Sequence, residues 1–346
     1  MGRLQLALHL RLLTPAFIAG ANRDLAEFRA PSFKGLLRFW WRATQASQPQ
    51  MREMEKVIFG SASGGGKGGC SAFTLQVSSS LSQSAITKAP LPRSVYTEYQ
   101  VKGHRLSVLE YLAYGTYTYQ KTRKCNVFNR SYIDAGQAFT LTVRLVNEDV
   151  LSDVIRALAV FCAFGSIGAK SRNGFGSFAL ERVDGDSSVE KLTHSTPPDI
   201  FRQFARGEHL PTFTAFSGEA RLFRTRKEHR SWDSCLGELG QAYRVARLSL
   251  ENRHRYDVRQ FIGAPLVVNK KQESLLARRA KPYFMRIHKN REGYVGYLLY
   301  LPSQYYPKEI SSSEGRKLGP GEMTDRFLSA CDSLNTALAK SLEAIR

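Results

Sequence analysis

Apolar and polar residues alternate along several stretches of the N-terminal half of the chain. Residues 4–13 carry a leucine at almost every second position, and residues 72–77, 139–146 and 177–182 show the same period. Period-two alternation is typical of a strand with one face in a core and the other in water. We therefore predict four strands in this half, with helices between them at residues 32–44, 51–59 and 150–164.

The first of these helices is predicted from a stripe of apolar residues. Pro31 disfavours helix before it, and Ser32 is expected to cap the first turn. Gly35 is a poor helix former, which suggests that another backbone approaches closely there. Spacing of i, i+3, i+4 and i+7 brings four large apolar side chains onto one inward face. They are Phe33, Leu36, Leu37 and Trp40.

A second stripe on the same helix is cationic. Lys34, Arg38 and Arg42 are spaced four residues apart, so they lie on one face. A helix that buries an aromatic face and exposes a cationic ridge suits a polyanion. The other interpretation is that the three cations are only a solvated face. Because the whole chain is basic, as described below, we predict that they line an RNA-facing groove.

The second candidate site is the glycine-rich stretch 165–178, which follows the predicted helix 150–164. It matches neither G-x-G-x-x-G nor the Walker phosphate loop. Glycines let a backbone pass close to phosphate groups, and the cations of the stretch add positive charge. Bulk at Gly174 is therefore expected to block RNA sterically. We predict RNA contact at Gly168, Lys170, Arg172, Asn173 and Gly174.

The order of the predicted elements indicates the fold class. Strand, helix, strand, strand, helix, strand is the ferredoxin-like order, which RNA-recognition modules also use. We assign residues 1–183 to one such domain, with an insertion at about 78–138, and residues 184–210 to a linker. The prediction is an α+β protein with two ferredoxin-like domains, the second degenerate.

The second domain, residues 211–346, is assigned from weaker patterns. Residues 212–223 are strand-like, 232–250 helical, 283–300 a pair of strands, and 323–345 a closing helix. Arg278 and Arg279 form a basic cluster in this domain and are a third candidate RNA contact.

Tyrosines are frequent in the insertion of the first domain, and a tyrosine beside a cation can stack a nucleobase. We expect Tyr111 and Tyr114 to pack a short helix at about 106–114. Stacking by Tyr117 and Tyr119 stays open.

The charge balance favours a nucleic-acid partner. The chain has 346 residues, with 50 Lys and Arg against 30 Asp and Glu and a net charge of +20. Such an excess points to nucleic acid before a membrane surface. There is no apolar run long enough for a membrane span and no expected signal peptide, so we predict a cytoplasmic protein. Dispersed cysteines and histidines fit no ligand spacing, so neither a metal nor another cofactor is predicted.

Several stretches resemble one protein family. Residues 31–42 are P-S-F-K-G-L-L-R-F-W-W-R, and the segment before them ends T-P-A-F-I-A-G at residue 20. These runs resemble the RAMP-type head subunit of the Cmr (type III-B CRISPR) effector complex. The stretch 165–178 is similar to the glycine-rich loop of RAMP proteins. Residues 278–282 resemble an Arg-Arg-Ala-Ser-Pro run of the Cmr family, with Lys281 in the place of Ser.

The resemblance implies a non-catalytic RNA-binding subunit of a CRISPR ribonucleoprotein in antiviral defence. Such subunits cap the complex near the 3′ end of the guide RNA and help to capture target RNA. The implied partners are therefore guide RNA, target RNA and other RAMP-type subunits, with no membrane.

Two other functions stay open. Some RAMP relatives are metal-independent endoribonucleases that process guide RNA, but that chemistry needs a general base, usually His. The first helix and the glycine-rich stretch contain no His, and His9 and His104 are isolated in the sequence. The other alternative is a protein scaffold whose charge is incidental.

Overall fold

The fold is a mixed arrangement of helices and sheets. The computed structural model describes residues 4–46, 50–61, 69–101, 103–122, 124–185, 195–252, 255–263, 267–268, 271–272, 280–305 and 319–345. Arg278 and Arg279, the third candidate RNA contact, lie outside the described residues. Within those ranges, no helix is long and apolar enough to cross a bilayer.

The N-terminal half begins and ends with a strand. Its elements, in chain order, are β1 (Gln5–Leu12), α1 (Ala30–Ala43), α2 (Met51–Phe59), β2 (Phe73–Ser78), β3 (Ile86–Thr87), β4 (Glu98–Val101), β5 (His104–Ser107), α3 (Val108–Leu112), β6 (Tyr117–Gln120), β7 (Cys125–Phe128), β8 (Tyr132–Ile133), β9 (Ala138–Leu145), α4 (Leu151–Phe164) and β10 (Phe178–Asp184).

The four strands predicted from alternating residues form one antiparallel sheet. Its order is β10-β1-β9-β2, and Leu8 pairs with Leu141 in its centre. One face of the sheet is buried, because Leu6, Leu8, Leu10 and Leu12 are almost inaccessible to solvent. Side chains of α1 and α4 belong to the same apolar cluster and cover that face. The alternation in the sequence therefore correctly predicted both the strands and their buried face.

The C-terminal half is built from a second set of elements. They are α5 (Pro197–Phe204), β11 (Arg221–Arg224), α6 (Trp232–Leu248), α7 (Arg259–Ile262), β12 (Val267–Val268), β13 (Lys271–Gln272), β14 (Tyr283–Lys289), β15 (Tyr294–Tyr300), α8 (Pro320–Ala339) and β16 (Glu343–Ile345).

The second four-stranded sheet has the order β14-β15-β11-β16, again with antiparallel neighbours. If the strands of each sheet are numbered one to four along the chain, both sheets have the order four-one-three-two. In each half, two helices follow the first strand (α1 and α2, or α6 and α7), and another helix follows the third strand. The second core contains buried side chains of α6, α8 and β14, including Leu236, Phe327 and Tyr283.

The start of α1 differs from the prediction. Arg29 occupies the N-cap position with φ −132° and ψ 121°, and within the described chain no side chain hydrogen-bonds to the cap. Ser32 is therefore not the N-cap. Pro31 lies in the first turn, where its missing N–H would have no helical partner anyway. A Cβ added at Gly35 would meet no atom of the described chain within 4 Å, so the predicted close backbone approach is absent there.

The predicted linker contains a helix, α5. The Thr196 hydroxyl lies 3.4 Å from the Asp199 N–H, and the Asp199 carboxylate accepts from the Thr196 N–H at 3.1 Å. This reciprocal arrangement is a capping box, so the Thr-Pro-Pro run starts a helix. Pro197, Ile200 and Phe201 form the buried face of this helix.

The closing helix and the first strand of the second half are shorter than predicted. Helix α8 ends at Ala339, and Glu343–Ile345 then forms β16, which pairs with β11. Within the strand-like residues 212–223, regular strand is found only from Arg221 onward. Pairing with the open edge of β11 outweighs the helical pattern of the last residues.

The insertion packs against α6. A Cβ at Gly240 of α6 would lie 2.9 Å from Leu112 of α3, and the Arg244 guanidinium lies 3.8 Å from the Tyr99 ring centroid. Helix α3 ends at Leu112, and Gly115 follows with φ +89°. Tyr114 lies in this turn and is 68% exposed, so the expectation that it packs the helix is wrong.

The two sheets meet through buried polar groups of β14. Arg286 donates to the Cys162 carbonyl oxygen at 3.0 Å and also to the Phe178 carbonyl oxygen. His288 Nε2 lies 2.7 Å from the Ala163 carbonyl oxygen. Burial lowers the pKa of Arg286 to about 9, and burial and the Arg286 charge lower the pKa of His288 to about 3. These contacts fix β14 against α4 and β10 and so position the candidate site.

Candidate nucleic-acid interface

Helix α1 is held by its two tryptophans, which leaves its cations outside. Trp40 and Trp41 are buried, and Trp41 Nε1 donates to Asp153 of α4 at 3.0 Å. Phe33 and Leu37 lie in the same core, as predicted, and Leu36 is half-buried. Because one side of the helix is fixed in this way, Lys34, Arg38 and Arg42 are turned toward α2 and solvent.

Arg38 and Arg42 share one carboxylate, that of Glu55 on α2. Both arginines donate to Glu55 Oε1, and Arg42 Nε donates to Oε2 at 2.7 Å. The Glu55 side chain is only 5% exposed, whereas those of Arg38 and Arg42 are 40% and 44% exposed. Burial alone would raise the pKa of Glu55, but the hydrogen bonds from Arg42 and Arg38 outweigh it and lower the pKa.

This arrangement changes the meaning of the predicted cationic ridge. Two arginines and one glutamate retain one net positive charge, and each guanidinium has more donors than Glu55 can use. Glu55 therefore orients the two planar groups while their outer edges stay available to phosphate. The sequence offered a signal, because Glu55 is the lone acid in the apolar stripe that includes Ile58 and Phe59.

Lys34 is the third member of the ridge. Its Nζ lies 5.6 Å from the centroid of the Phe73 ring on β2. Burial, and then the charge of Arg38, lower the pKa of Lys34. Its ammonium group is thus partly desolvated and next to another cation, so its interaction with an approaching anion is favourable.

The glycines of the stretch 165–178 have contacts within the chain. A Cβ at Gly168, which has φ +84°, would lie 2.6 Å from the Phe17 carbonyl oxygen. A Cβ at Gly174 would lie 2.5 Å from Leu236 Cδ1 of α6. At both positions another part of the chain occupies the space that a side chain would need, which explains why the residue is glycine. Gly174 is buried, so its role in this structure is packing. This differs from the prediction that bulk at Gly174 would block RNA sterically.

Arg172 and Asn173 tie the same stretch to other elements. An Nη atom of Arg172 donates to the Lys281 carbonyl oxygen at 2.5 Å, and the Arg172 carbonyl oxygen accepts from the Met285 N–H at 3.1 Å. The Asn173 side chain donates to the Leu112 carbonyl oxygen at 2.5 Å. The stretch therefore joins α3, β14 and the first sheet.

The two predicted RNA-binding regions meet at a small aromatic cavity. The Arg172 guanidinium lies 4.5 Å from the Phe284 ring centroid and 5.9 Å from that of Phe39 on α1. A cavity of about 220 Å³ opens between them. Its walls include Phe39, Trp40, Phe164, Ser171, Arg172 and Phe284. The aromatic walls were not predicted from the sequence, because Phe284 comes from β14 in the other half of the chain.

Lys170 faces the insertion rather than α1. It adopts φ +62°, and its Nζ would lie 3.7 Å from a Cβ at Gly115. Burial, and then the charge of Arg130, lower the pKa of Lys170. Tyr114, the residue before Gly115, has an exposed ring, so the Lys170 ammonium lies close to the backbone next to an accessible aromatic residue.

His9 lies away from α1 and the glycine-rich stretch, on the outer face of the first sheet. His9 was expected from the sequence to be isolated, but both of its ring nitrogens have partners. Nε2 lies 2.8 Å from Asp184 Oδ2, and Nδ1 lies 3.3 Å from the Thr140 hydroxyl. Within the described ranges, no group of three or more His, Cys, Asp or Glu side chains is arranged to hold a metal ion.

Comparison with known proteins agrees with this fold. Residues 9–179 match the model of the RAMP superfamily. The chain is 27% identical over 181 residues to CRISPR system Cmr subunit Cmr1-2 of Pyrococcus furiosus. The aligned region covers 50% of this chain and 94% of that protein.

Two solved structures share the fold over almost the whole chain. Cmr1 from Pyrococcus furiosus in its apo form has 17% identity and a TM-score of 0.54, over 94% of this chain and 96% of that one. A chain of the Type III-B Cmr-beta complex with cognate target RNA and AMPPnP has 13% identity and a TM-score of 0.53, over 97% and 100%. Residues 9–179 therefore form a domain of the RAMP superfamily, and the proteins that the chain resembles are Cmr subunits.

Proposed function

We propose that this chain is a non-catalytic RNA-binding subunit of a type III-B Cmr ribonucleoprotein in the cytoplasm. The observation that carries the proposal is the meeting of α1 and the glycine-rich stretch at one aromatic cavity, with Arg172 lying over Phe284 and Phe39. Cations beside aromatic faces suit single-stranded nucleic acid, because phosphates and bases are bound together.

The partners follow from the relatives. One similar structure is a Cmr complex bound to cognate target RNA. We therefore propose guide RNA, target RNA and other RAMP-type subunits as partners, with a position near the 3′ end of the guide. The matching strand orders of the two sheets support two ferredoxin-like domains, with the second beginning after the region of α5.

The endoribonuclease alternative is less well supported by the geometry. Both ring nitrogens of His9 are engaged, by Asp184 and Thr140, on the outer sheet face. A general base must reach the proton that it abstracts, and Lys170, Arg172 and the α1 cations lie elsewhere. We propose no catalytic residue in this chain.

The test is the salt dependence of RNA affinity for the full chain. Wild type and a Lys34→Ala, Arg38→Ala, Arg42→Ala variant are titrated with labelled single-stranded RNA at several salt concentrations. Each lost phosphate contact lowers the slope of log affinity against log salt by about 0.7. Because Glu55 already neutralises part of the ridge, we expect a drop between about 0.7 and 2.

Arg326→Ala is the matched control, because this exposed arginine pairs with Glu322 on α8. An unchanged slope in the folded triple variant would exclude the α1 cations from the interface. Failure of wild type to bind RNA would favour the scaffold alternative. If wild type shortens the RNA during the titration and a His9→Ala variant leaves it intact, the endoribonuclease alternative would be favoured.

A further inference from the structure

Lys281 has a buried ammonium nitrogen with no counter-charge among the residues that the structure describes. Its Nζ is inaccessible to solvent and has no hydrogen-bond acceptor among the residues that the structure describes. The ammonium nitrogen lies 4.4 Å from the centroid of the Tyr243 ring on α6. A buried charge without a partner is costly, so such a group is rare unless something else binds it.

Within the described part of the chain, the charges that act on Lys281 are of its own sign. Burial lowers the pKa of Lys281 well below its ordinary value, and the charges of Arg172, Arg247 and Lys170 lower it further. Arg172 and Lys170 come from the glycine-rich stretch and Arg247 from α6. The ring of Tyr243 on α6 also faces Lys281, and burial raises the pKa of the Tyr243 hydroxyl, which favours its neutral form.

The cluster is not sealed. Lys170, Arg172 and Arg247 are half-buried, so its outer edge reaches solvent while Lys281 forms its inner end. Arg130 extends the cluster, because its charge acts on Lys170 and its Nε is a buried donor without an acceptor in the described part of the chain. Positively charged groups that converge in this way, with two unused buried nitrogens, are complementary to an anion.

We propose that Lys170, Arg172, Arg247 and Lys281 form a pocket for one phosphate group of the bound RNA, and that Lys281 takes up a proton as the phosphate enters. This inference rests on the proposed RNA-binding function. Without an anion, burial and the three neighbouring cations shift the equilibrium of Lys281 toward the neutral amine. A phosphodiester brings a negative charge that favours the ammonium form, and solvent supplies the proton.

Proton uptake couples RNA affinity to pH. The affinity falls as the pH rises between the lowered pKa of the free protein and the higher pKa of the complex. A merely structural lysine would not link RNA binding to proton uptake. A lysine that is already charged before it binds phosphate would not link RNA binding to proton uptake either.

The experiment is calorimetric titration of the full chain with single-stranded RNA at pH 8, in Tris and in HEPES at equal ionic strength. The dependence of the binding heat on the buffer gives the number of protons taken up. Wild type is expected to take up a fraction of a proton, up to about one, per RNA bound. Lys281→Met is expected to lose that uptake and to bind about tenfold more weakly.

Lys289→Met is the matched control. Lys289 is the last residue of β14, the strand that begins two residues after Lys281. It is exposed, and its Nζ lies 5.4 Å from the Tyr294 ring centroid. This variant should take up protons and bind RNA as wild type does. Urea unfolding should show Lys281→Met at least as stable as wild type, because a buried amine without a hydrogen-bond acceptor in the described chain is replaced by an apolar chain of similar size.

The outcomes separate the two proposals. If wild type binds RNA and Lys281→Met shows the same affinity and uptake, this inference is overturned and the proposed function stands. If wild type binds no RNA, both fail. If polyglutamate shows Lys281-dependent uptake and RNA does not, the pocket serves an acidic protein partner and the phosphate assignment is wrong.

Discussion

A Cβ atom at Gly174 would lie 2.5 Å from Leu236 Cδ1, with Gly174 held at φ +87°. The glycine-rich stretch is thus in contact with α6, a helix of the other half of the chain. The glycine that looked suited to a passing RNA backbone is instead required by the packing between the two halves.

Gly174→Ala should therefore lower stability. The left-handed backbone and the crowding against Leu236 together predict a loss of about 2–4 kcal/mol in the free energy of unfolding. Gly35→Ala is the opposite case, because it lies in a helix with open space around it and should gain about 0.5–1 kcal/mol. Urea unfolding followed by circular dichroism checks both. Equal midpoints for the two variants would contradict the packing role.

Glu55→Gln should lower stability by about 1–3 kcal/mol, because it leaves Arg38 and Arg42 beside a neutral group. The lowered pKa means that Glu55 stabilises the fold above its ordinary pKa of 4.5 and loses that effect as the pH falls through the lowered value. Urea unfolding from pH 3 to pH 6 should thus show a smaller wild-type advantage at the acid end.

Glu53→Gln is the control for Glu55→Gln, since Glu53 lies on the same helix and pairs with the exposed Lys56. It should change stability by less than about 0.5 kcal/mol. A constant difference between wild type and Glu55→Gln across this pH range would show that the carboxylate charge is not what matters.

His288→Gln should flatten the pH dependence of stability between about pH 3.5 and 6.5. The pKa of His288 is about 3 in the folded chain, so in this range only the unfolded chain binds a proton. The free energy of unfolding of wild type therefore rises as the pH increases toward about 6.5, by up to about 1.4 kcal/mol per pH unit. The Gln side chain can still donate toward the Ala163 carbonyl oxygen.

The comparison needs unfolding curves at pH 5, 6 and 7.5 for wild type, His288→Gln and His209→Gln. His209 is exposed, so its variant should follow the wild-type curve. A slope shared by all three proteins would mean that His288 is accessible to protons in the folded chain.

The sequence was informative where a local pattern decides the structure. The leucine alternation in β1 correctly predicted a strand and its buried face, and the aromatic spacing in α1 predicted the inward side of that helix. Proline was misinterpreted twice, at Pro31 and at Pro197, because its fixed φ is also suited to the first turn of a helix.

The candidate site was less accessible to sequence reasoning because distant segments build it. The spacing of Arg38 and Arg42 was visible, whereas their sharing of Glu55 depends on how α2 packs. Likewise, Arg172 meets Phe284 only because β14 lies beside the glycine-rich stretch. Neither contact leaves a periodic signal, since each depends on tertiary structure.

Tyr114→Ala should weaken RNA binding with little effect on stability. The ring is 68% exposed, beside Gly115 and near Lys170, so a base stacked on it would place a phosphate near the Lys170 ammonium. Stacking of one base contributes about 1–3 kcal/mol, which corresponds to a loss of affinity of about 5- to 150-fold. Fluorescence anisotropy with labelled single-stranded RNA measures the loss, and urea unfolding confirms the fold.

Two variants distinguish stacking from other effects of the Tyr114 substitution. Tyr114→Phe retains the aromatic face and should bind like wild type, because stacking does not use the hydroxyl. Tyr96→Ala removes another exposed ring of the insertion, 54% accessible, and should leave RNA affinity unchanged. If Tyr114→Ala binds like wild type, or if Tyr96→Ala loses as much affinity, Tyr114 is not the stacking platform. The RNA path would then follow the α1 side of Arg172 alone.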